Sequence, residues 1–281
     1  GMAEGAPSVG LLRTNRSMQS LDGRQDGTPE DLGDSIRVYV RVRPPTEREL
    51  QQQQLHSLQP HLLGNTLGQQ VVAVDGVTSS VLLRGDPPRN FTFDGVLNPQ
   101  ASQEETFELV GRAVGASCLA GYNGSIYVYG QTGTGKTHTM SGPMASVQSL
   151  QFDERRGLIC RMLDHVFAEV ARRRVEDGDT YTLRCSFLEI YKEQIMDLLE
   201  PSSTGLQIRE DINRGVYVEK LSEPTVSSLT EAFQVLWKGI QSRHIGATHL
   251  NERSSRSHSV FTLSVERAQT ASGVTSTSVA R

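Results

Sequence analysis

Gly130-Gln131-Thr132-Gly133-Thr134-Gly135-Lys136-Thr137 combines glycines, a lysine and a threonine hydroxyl in one short stretch. It fits the pattern Gly, four residues, Gly, Lys, then Ser or Thr, which binds phosphate. Gly130 and Gly135 let the backbone turn without a Cβ, so that successive N–H groups face phosphate oxygens. Lys136 supplies a point charge for the outer phosphates. The Thr137 hydroxyl suits Mg²⁺, which takes hard oxygen ligands and keeps several waters. A second cluster, Asn251-Glu252-Arg253-Ser254-Ser255-Arg256-Ser257-His258, sets hydroxyls beside guanidinium groups. Such a segment can close on a γ-phosphate and its metal ion. Taken alone, it reads more readily as a plain polar turn.

The chemistry of the first stretch needs a strand before it and a helix after it. Ser125-Ile126-Tyr127-Val128-Tyr129 is uncharged and predicts a short buried strand. Thr137 to Met140 can continue as a helix, whose positive end would face the phosphates. The whole run from Ala113 to Gly135 lacks charge, yet it is too rich in Gly, Ser, Asn, Gln and Thr to span a membrane.

The 281 residues suffice for one large domain or two small ones. With 21% charged and 36% hydrophobic residues, the composition is that of a soluble globular chain. The net charge of -4 argues against bulk nucleic-acid binding, which wants a basic stripe. Cys118, Cys160 and Cys185 have no metal-ligand spacing and cannot all pair, which suggests a reducing compartment and core roles. No signal peptide is legible.

Residues 1–34 mix Gly, Ser, Gln, Asp and Pro without periodicity and predict a disordered extension. Order is expected from Ser35. Ile36 to Arg43 alternates apolar and basic residues as a strand does, and Pro44-Pro45 ends it. Val71–Val74 with Val81–Arg84 predict a hairpin, and Asn90–Asp94 a further strand. Ser102 can cap a helix and Glu105 can complete a capping box, with Phe107, Val110, Val114 and Cys118 sharing its buried face. Ser141 to Arg156 reads as a long loop. Leu158 to Val170 repeats apolar residues at helical spacing, and Arg172-Arg173-Arg174 suits that helix's negative end.

Thr180–Tyr191 predicts a strand, Asn213-Arg214-Gly215 a hairpin turn, Leu229–Ile245 a helix and Val260–Val265 a last strand. Strands alternating with helices give an α/β class: a mixed, mainly parallel central sheet with helices on both faces.

Taken together, the two clusters resemble those of kinesin motor domains. Gly130 to Thr137 matches the phosphate loop, and Asn251 to His258 matches the first switch, Asn-x-x-Ser-Ser-Arg-Ser-His. Arg41-Val42-Arg43-Pro44 matches the Arg-x-Arg-Pro signature near the adenine. Gly121-Tyr122-Asn123-Gly124, Phe187-Leu188-Glu189-Ile190-Tyr191 and Asp197-Leu198-Leu199 also look like family motifs. Gly205 to Asp211 and Gly215 to Glu219 are similar to the twelfth kinesin class, which includes spindle motors.

The resemblance implies a microtubule-stimulated ATPase with ATP or ADP and Mg²⁺ as cofactors and microtubules as partner, located on the cytoplasmic microtubule cytoskeleton. It implies no nucleic-acid or membrane partner, and a dimer or higher oligomer formed through a stalk. Arg41, Arg43 and Pro44 would flank the adenine, with His138 stacking opposite. The loop residues Gly130, Gln131, Thr132, Gly133, Thr134 and Gly135, together with Lys136, would hold the β- and γ-phosphates. Thr137 and Ser255 would ligate Mg²⁺, and Asn251 and Ser254 would approach the γ-phosphate and the attacking water. Arg256 would pair with the glutamate of a second switch, Asp-Leu-Ala-Gly-Ser-Glu, which this sequence lacks. Residues 35–281 are therefore expected to be a partial motor domain without second switch, main microtubule-binding helices or neck. Such a piece would hydrolyse poorly. Two other readings are a non-motor nucleotide-binding or interaction module and an unrelated phosphate-loop kinase or GTPase.

Overall fold

The computed structural model describes residues 9–17, 36–51, 72–212, 215–248, 256–271 and 274–280. Two sheets carry the site. The first has the order β6-β2-β1-β7, built from β1 (Val9–Ser17), β2 (Ile36–Val42), β6 (Gly95–Leu97) and β7 (Asn123–Tyr129). The second has the order β10-β9-β8-β14-β15, with β8 (Thr180–Tyr191), β9 (Gln194–Asp197), β10 (Thr204–Leu206), β14 (His258–Ala271) and β15 (Val274–Ala280); β13 (Thr225–Val226) also pairs with β8. Two smaller sheets join β3 (Val72–Asp75), β4 (Ser80–Leu83) and β5 (Arg89–Thr92), and β11 (Ile208–Asp211) with β12 (Gly215–Val218). The expected α/β class with mixed pairing holds. Its parallel character is confined, among the described ladders, to β2 with β6.

Period-two geometry assigns the faces of β2. Val40 and Val42 are buried against Val72 and Val81 of the small sheet, while Tyr39 packs with Leu97, Phe107, Val110 and Leu158. Arg41 shares Tyr39's face and is thereby aimed at the helices. The strand before the phosphate loop is only half-buried, contrary to expectation. Ile126 and Val128 pack inward, while Tyr127 and Tyr129 are 59% and 75% exposed. Among the described strands β7 ends its sheet, with β1 on its inner side.

The first strand is a second correction. Within the extension expected to be disordered, Val9–Ser17 pairs antiparallel with both β2 and β7; Leu12 stands opposite Tyr39 on one side and Val128 on the other. Its sequence lacks clean alternation. What recruits it is backbone pairing to two edges at once, which local periodicity does not encode. The rest of residues 1–34 lies outside the described residues.

Helix α1 (Gln103–Thr106) starts with the expected capping box: the Ser102 side chain accepts from Glu105 N and the Glu105 side chain from Ser102 N. It passes through a π turn, Phe107–Gly111, into α2 (Arg112–Leu119). The π turn advances the phase by one residue. Phe107 and Val110 are buried as expected, but Gly115 and Leu119 replace Val114 and Cys118 as the fully buried positions.

Helix α3 (Lys136–Met140) spans only five residues after the phosphate loop. The chain then makes an excursion, which holds a short helix, α4 (Val147–Phe152), where plain loop was expected; Ser146 and Ser149 form its capping box. It returns into α5 (Leu158–Glu176). The neck of the excursion is tight. Gly157 N donates to Ser141 O at 3.1 Å, and a Cβ on Gly142 or Gly157 would come within 2.3 Å of Arg155 O or 2.4 Å of Met140 C.

The main core joins α5, α6 (Leu229–Thr248) and β8 through Leu163, Val166, Phe187, Phe233, Leu236 and Ile240. Consecutive buried residues Cys185 to Glu189 show that the middle of β8 is covered on both faces. The three arginines after Val170 serve the fold. Arg172 pairs with Glu169 and Glu176, Arg173 donates to Leu119 O at 2.9 Å, and Arg174 donates to Tyr181 O at 2.7 Å. Cys160 and Cys185 are buried, and burial pushes both thiols up to about 12, in keeping with inert core residues. Among the described residues no helix is long and apolar enough to cross a membrane.

Candidate nucleotide site

The phosphate loop leaves β7 and enters α3 through two left-handed glycines, Gly133 at φ +87° and Gly135 at φ +94°. An L-residue would be strained at either position. Gly130 is required for a different reason: a Cβ there would lie 2.6 Å from Thr134 Oγ1. The loop thus folds over the Thr134 side chain, whose hydroxyl is buried with no hydrogen-bond partner among the described residues. Lys136 Nζ donates to Gly130 O at 2.7 Å and Gln131 O at 3.0 Å, closing the loop on itself.

A cleft of about 230 Å³ opens beside this loop. Arg41, Val42, Arg43 and Pro44 line one wall, Thr134, Gly135, Lys136, His138 and Thr139 another, with Pro99 and Val128 between. Residues nearly a hundred positions apart in the chain therefore face the same space: Arg41, Arg43 and Pro44 on one side, Lys136 and His138 on the other. Gly130, Gln131, Thr132, Gly133 and Thr137 belong to the same loop and helix but do not line the cleft.

Each wall is held by a separate set of contacts. Arg41 Nη1 donates to Gln103 Oε1 at 2.7 Å and to Thr139 Oγ1 at 3.1 Å, and Nη2 donates to Ala101 O at 3.2 Å. These partners are neutral, and burial lowers the Arg41 pKa. Arg43 instead engages Glu49, with Nη2 at 2.7 and 3.0 Å from the two carboxylate oxygens. The Arg43 hydrogen bond and the Thr46 amide hold the Glu49 carboxyl down at about 2. His138 is pushed down by burial and by the nearby Arg41 and Arg155 guanidinium groups, which favours the neutral imidazole.

Of the second cluster, Asn251, Ser254 and Ser255 lie outside the described residues. Arg256 is described and exposed, and Ser257 leads into β14. Ser257 Oγ donates to Glu189 Oε1 at 2.7 Å, and Arg243 Nε from α6 donates to the same oxygen at 3.3 Å. Glu189 is 1% exposed. Gln103 and Glu189 are the residues whose part in the site sequence reasoning missed. The signal available for Gln103 was a neutral, polar residue one position after a helix cap. For Glu189 it was an acid amid the apolar run of a buried strand.

The donor set fits a magnesium-bound nucleotide: glycine conformations that leave the loop backbone uncovered, a lysine, a threonine hydroxyl at the start of α3, and a cleft with two arginines. No cluster of His, Cys, Asp or Glu among the described residues could hold a metal by itself.

Fold and site together define a phosphate-loop nucleotide-binding protein. Its family follows from three comparisons. The model of the kinesin motor domain matches residues 41–281. The chain is 40% identical over 254 residues to the kinesin-like protein KIF15 of Homo sapiens, covering 89% of this chain and 17% of that protein. It is 42% identical over 235 residues to the kinesin-like protein KIN-12E of Oryza sativa subsp. japonica, covering 83% and 12%. A solved fast kinesin superposes with a TM-score of 0.70 at 31% identity, covering 85% of this chain and 62% of that one. The chain belongs to the kinesin motor domain family. Its likeness to KIF15 and KIN-12 proteins supports the twelfth class, and it spans under a fifth of the length of these two curated relatives.

Proposed function

We propose that this chain is the nucleotide-binding part of a kinesin motor which, in the whole protein, couples ATP hydrolysis to movement along microtubules. The observation that carries the reading is the cleft in which Arg41, Arg43 and Pro44 face Lys136 and His138. Arg41, Pro44 and His138 take the base end, and Gly130 to Thr137 takes the phosphates. When bound, Mg²⁺ neutralises phosphate charge. Thr137 offers its hydroxyl to that ion, with Ser255 as the second hydroxyl. Asn251 and Ser254 address the γ-phosphate and the attacking water.

Phosphoryl transfer asks a protein chiefly for positioning and charge stabilisation, which these residue types supply. Arg43 enters the site already oriented by Glu49, and the neutral His138 ring stacks without adding charge. The partner is the microtubule and the location the microtubule cytoskeleton, with the spindle favoured by the twelfth-class likeness. Oligomerisation proceeds through a stalk. The solved fast kinesin is described through its ATPase mechanism and interactions with microtubules, which supports carrying the same activity to this chain's parent.

Steady-state ATP turnover of the whole protein, with and without microtubules, tests the reading. Stimulated turnover that the Lys136→Ala variant lacks is expected. Turnover indifferent to both microtubules and Lys136 would overturn it.

A further inference from the structure

Gln103 does not line the cleft, yet it meets three of the segments that shape it. Its Oε1 accepts from Arg41 Nη1 of β2 at 2.7 Å. Its Nε2 donates to His138 O of α3 at 2.6 Å and to Arg155 O, where the excursion returns, at 2.9 Å. The same nitrogen lies 3.5 Å from His138 Nδ1. The side chain is 5% exposed. Both amide protons and the amide oxygen are therefore in use.

The orientation of the amide follows from its partners. Reversing it would set the NH₂ against a guanidinium and the oxygen against two carbonyls. A glutamate here would satisfy Arg41 but would oppose His138 O and Arg155 O. A leucine would leave Arg41 short of a partner and remove the donor to Arg155 O and one of the two donors to His138 O, which also accepts from Gly142 N at 3.0 Å. Gln103 is itself fixed in space, because the reciprocal bonds of Ser102 and Glu105 lock the first turn of α1.

We propose that Gln103 is a positioning residue for the base end of the nucleotide cleft. It sets the Arg41 guanidinium and the α3 backbone at His138 at a fixed separation across that end. The phosphate loop is held independently, by Lys136 on Gly130 O and Gln131 O and by the left-handed glycines. Gln103 therefore governs how tightly the base is gripped, while the grip on phosphate is separate. The inference rests on the reading of the cleft as a nucleotide site.

The two are distinguished by titrating the full chain with Mg·ADP and with magnesium tripolyphosphate, which has no base. Wild type, Gln103→Leu, Gln103→Glu and Lys136→Ala are compared, with circular dichroism and thermal unfolding as checks on folding. Gln103→Leu is expected to bind Mg·ADP about tenfold or more weakly, the scale of one lost hydrogen bond to a charged group. Its tripolyphosphate affinity should stay within about twofold of wild type, well below the tenfold that one such bond is worth. Gln103→Glu, which keeps the Arg41 contact and carries the test if the leucine variant does not fold, should fall between. Lys136→Ala should lose both ligands. Equal weakening of both ligands in the Gln103 variants, or wild-type ADP affinity in a folded Gln103 variant, would overturn the inference alone. A wild-type chain that binds neither ligand would overturn the nucleotide reading and this inference with it.

Discussion

Glu189 Oε1 accepts a 2.7 Å hydrogen bond from Ser257 Oγ, although the two residues stand 68 positions apart. The carboxylate is buried in β8 and also receives Arg243 from α6, so one oxygen ties the start of β14 to the core. Through this contact the described part of the serine-arginine segment is anchored to the main hydrophobic cluster.

Replacing Glu189 with Ala would leave the Arg243 guanidinium partly buried without its carboxylate. Breaking a buried pair from one side costs about 3–5 kcal/mol. Chemical denaturation should show a loss of that order for Glu189→Ala and a smaller loss for Glu189→Gln. A change within about 0.5 kcal/mol, typical of a plain surface site, would mean that the contact does not anchor β14.

A Cβ would collide with its surroundings at Gly239 and at Gly142. At Gly239 a Cβ would stand 2.2 Å from Phe187 Cδ1, where α6 crosses β8. Gly239→Ala should destabilise by about 1–3 kcal/mol through overpacking. Gly142→Ala, at φ +70° and 2.3 Å from Arg155 O, should lose at least as much through backbone strain and collision. Thermal unfolding of each variant checks both values.

Acid titration isolates Arg43. The Glu49 carboxyl is depressed from its ordinary 4.5 to about 2. A depressed carboxylate contributes stability that is fully present above 4.5 and is lost as pH falls toward 2. In side-chain NMR, Glu49 should remain ionised through pH 4, and Arg43→Ala should return it toward 4.5 and flatten the acid limb of the stability curve.

Deleting residues 1–17 should open both edges that β1 fills. The β2 and β7 backbones would then present unpaired N–H and C=O groups, which favour association. A lower unfolding temperature and concentration-dependent oligomers by size-exclusion chromatography are expected. An unchanged monomer of unchanged stability would show that β1 contributes nothing to the sheet.

What the sequence disclosed depended on whether the determining contact was local. The phosphate loop, the Ser102–Glu105 cap, the β3–β4 hairpin and α5 are written in short-range spacing, and the structure carries each of them. The π turn at Phe107–Gly111 has no local marker; it rotated the buried face from Val114 and Cys118 to Gly115 and Leu119. β15, rich in Thr and Ser, was invisible because its pairing with β14 supplies what its polar sequence does not. In the site, Arg41 and Lys136 were legible from motif, whereas Gln103 became legible only when β2, α1, α3 and the excursion met around it.

The central claim is that the loop from Gly130 to Thr137 and the wall from Arg41 to Pro44 hold one magnesium-bound nucleoside triphosphate. A crystal structure grown with Mg²⁺ and a non-hydrolysable ATP analogue tests it most directly. The account predicts the triphosphate along the loop, Lys136 Nζ shifted from Gly130 O and Gln131 O onto phosphate oxygen, and the base between Arg41, Pro44 and His138. An analogue bound elsewhere, with Lys136 still on those two carbonyls, would contradict it.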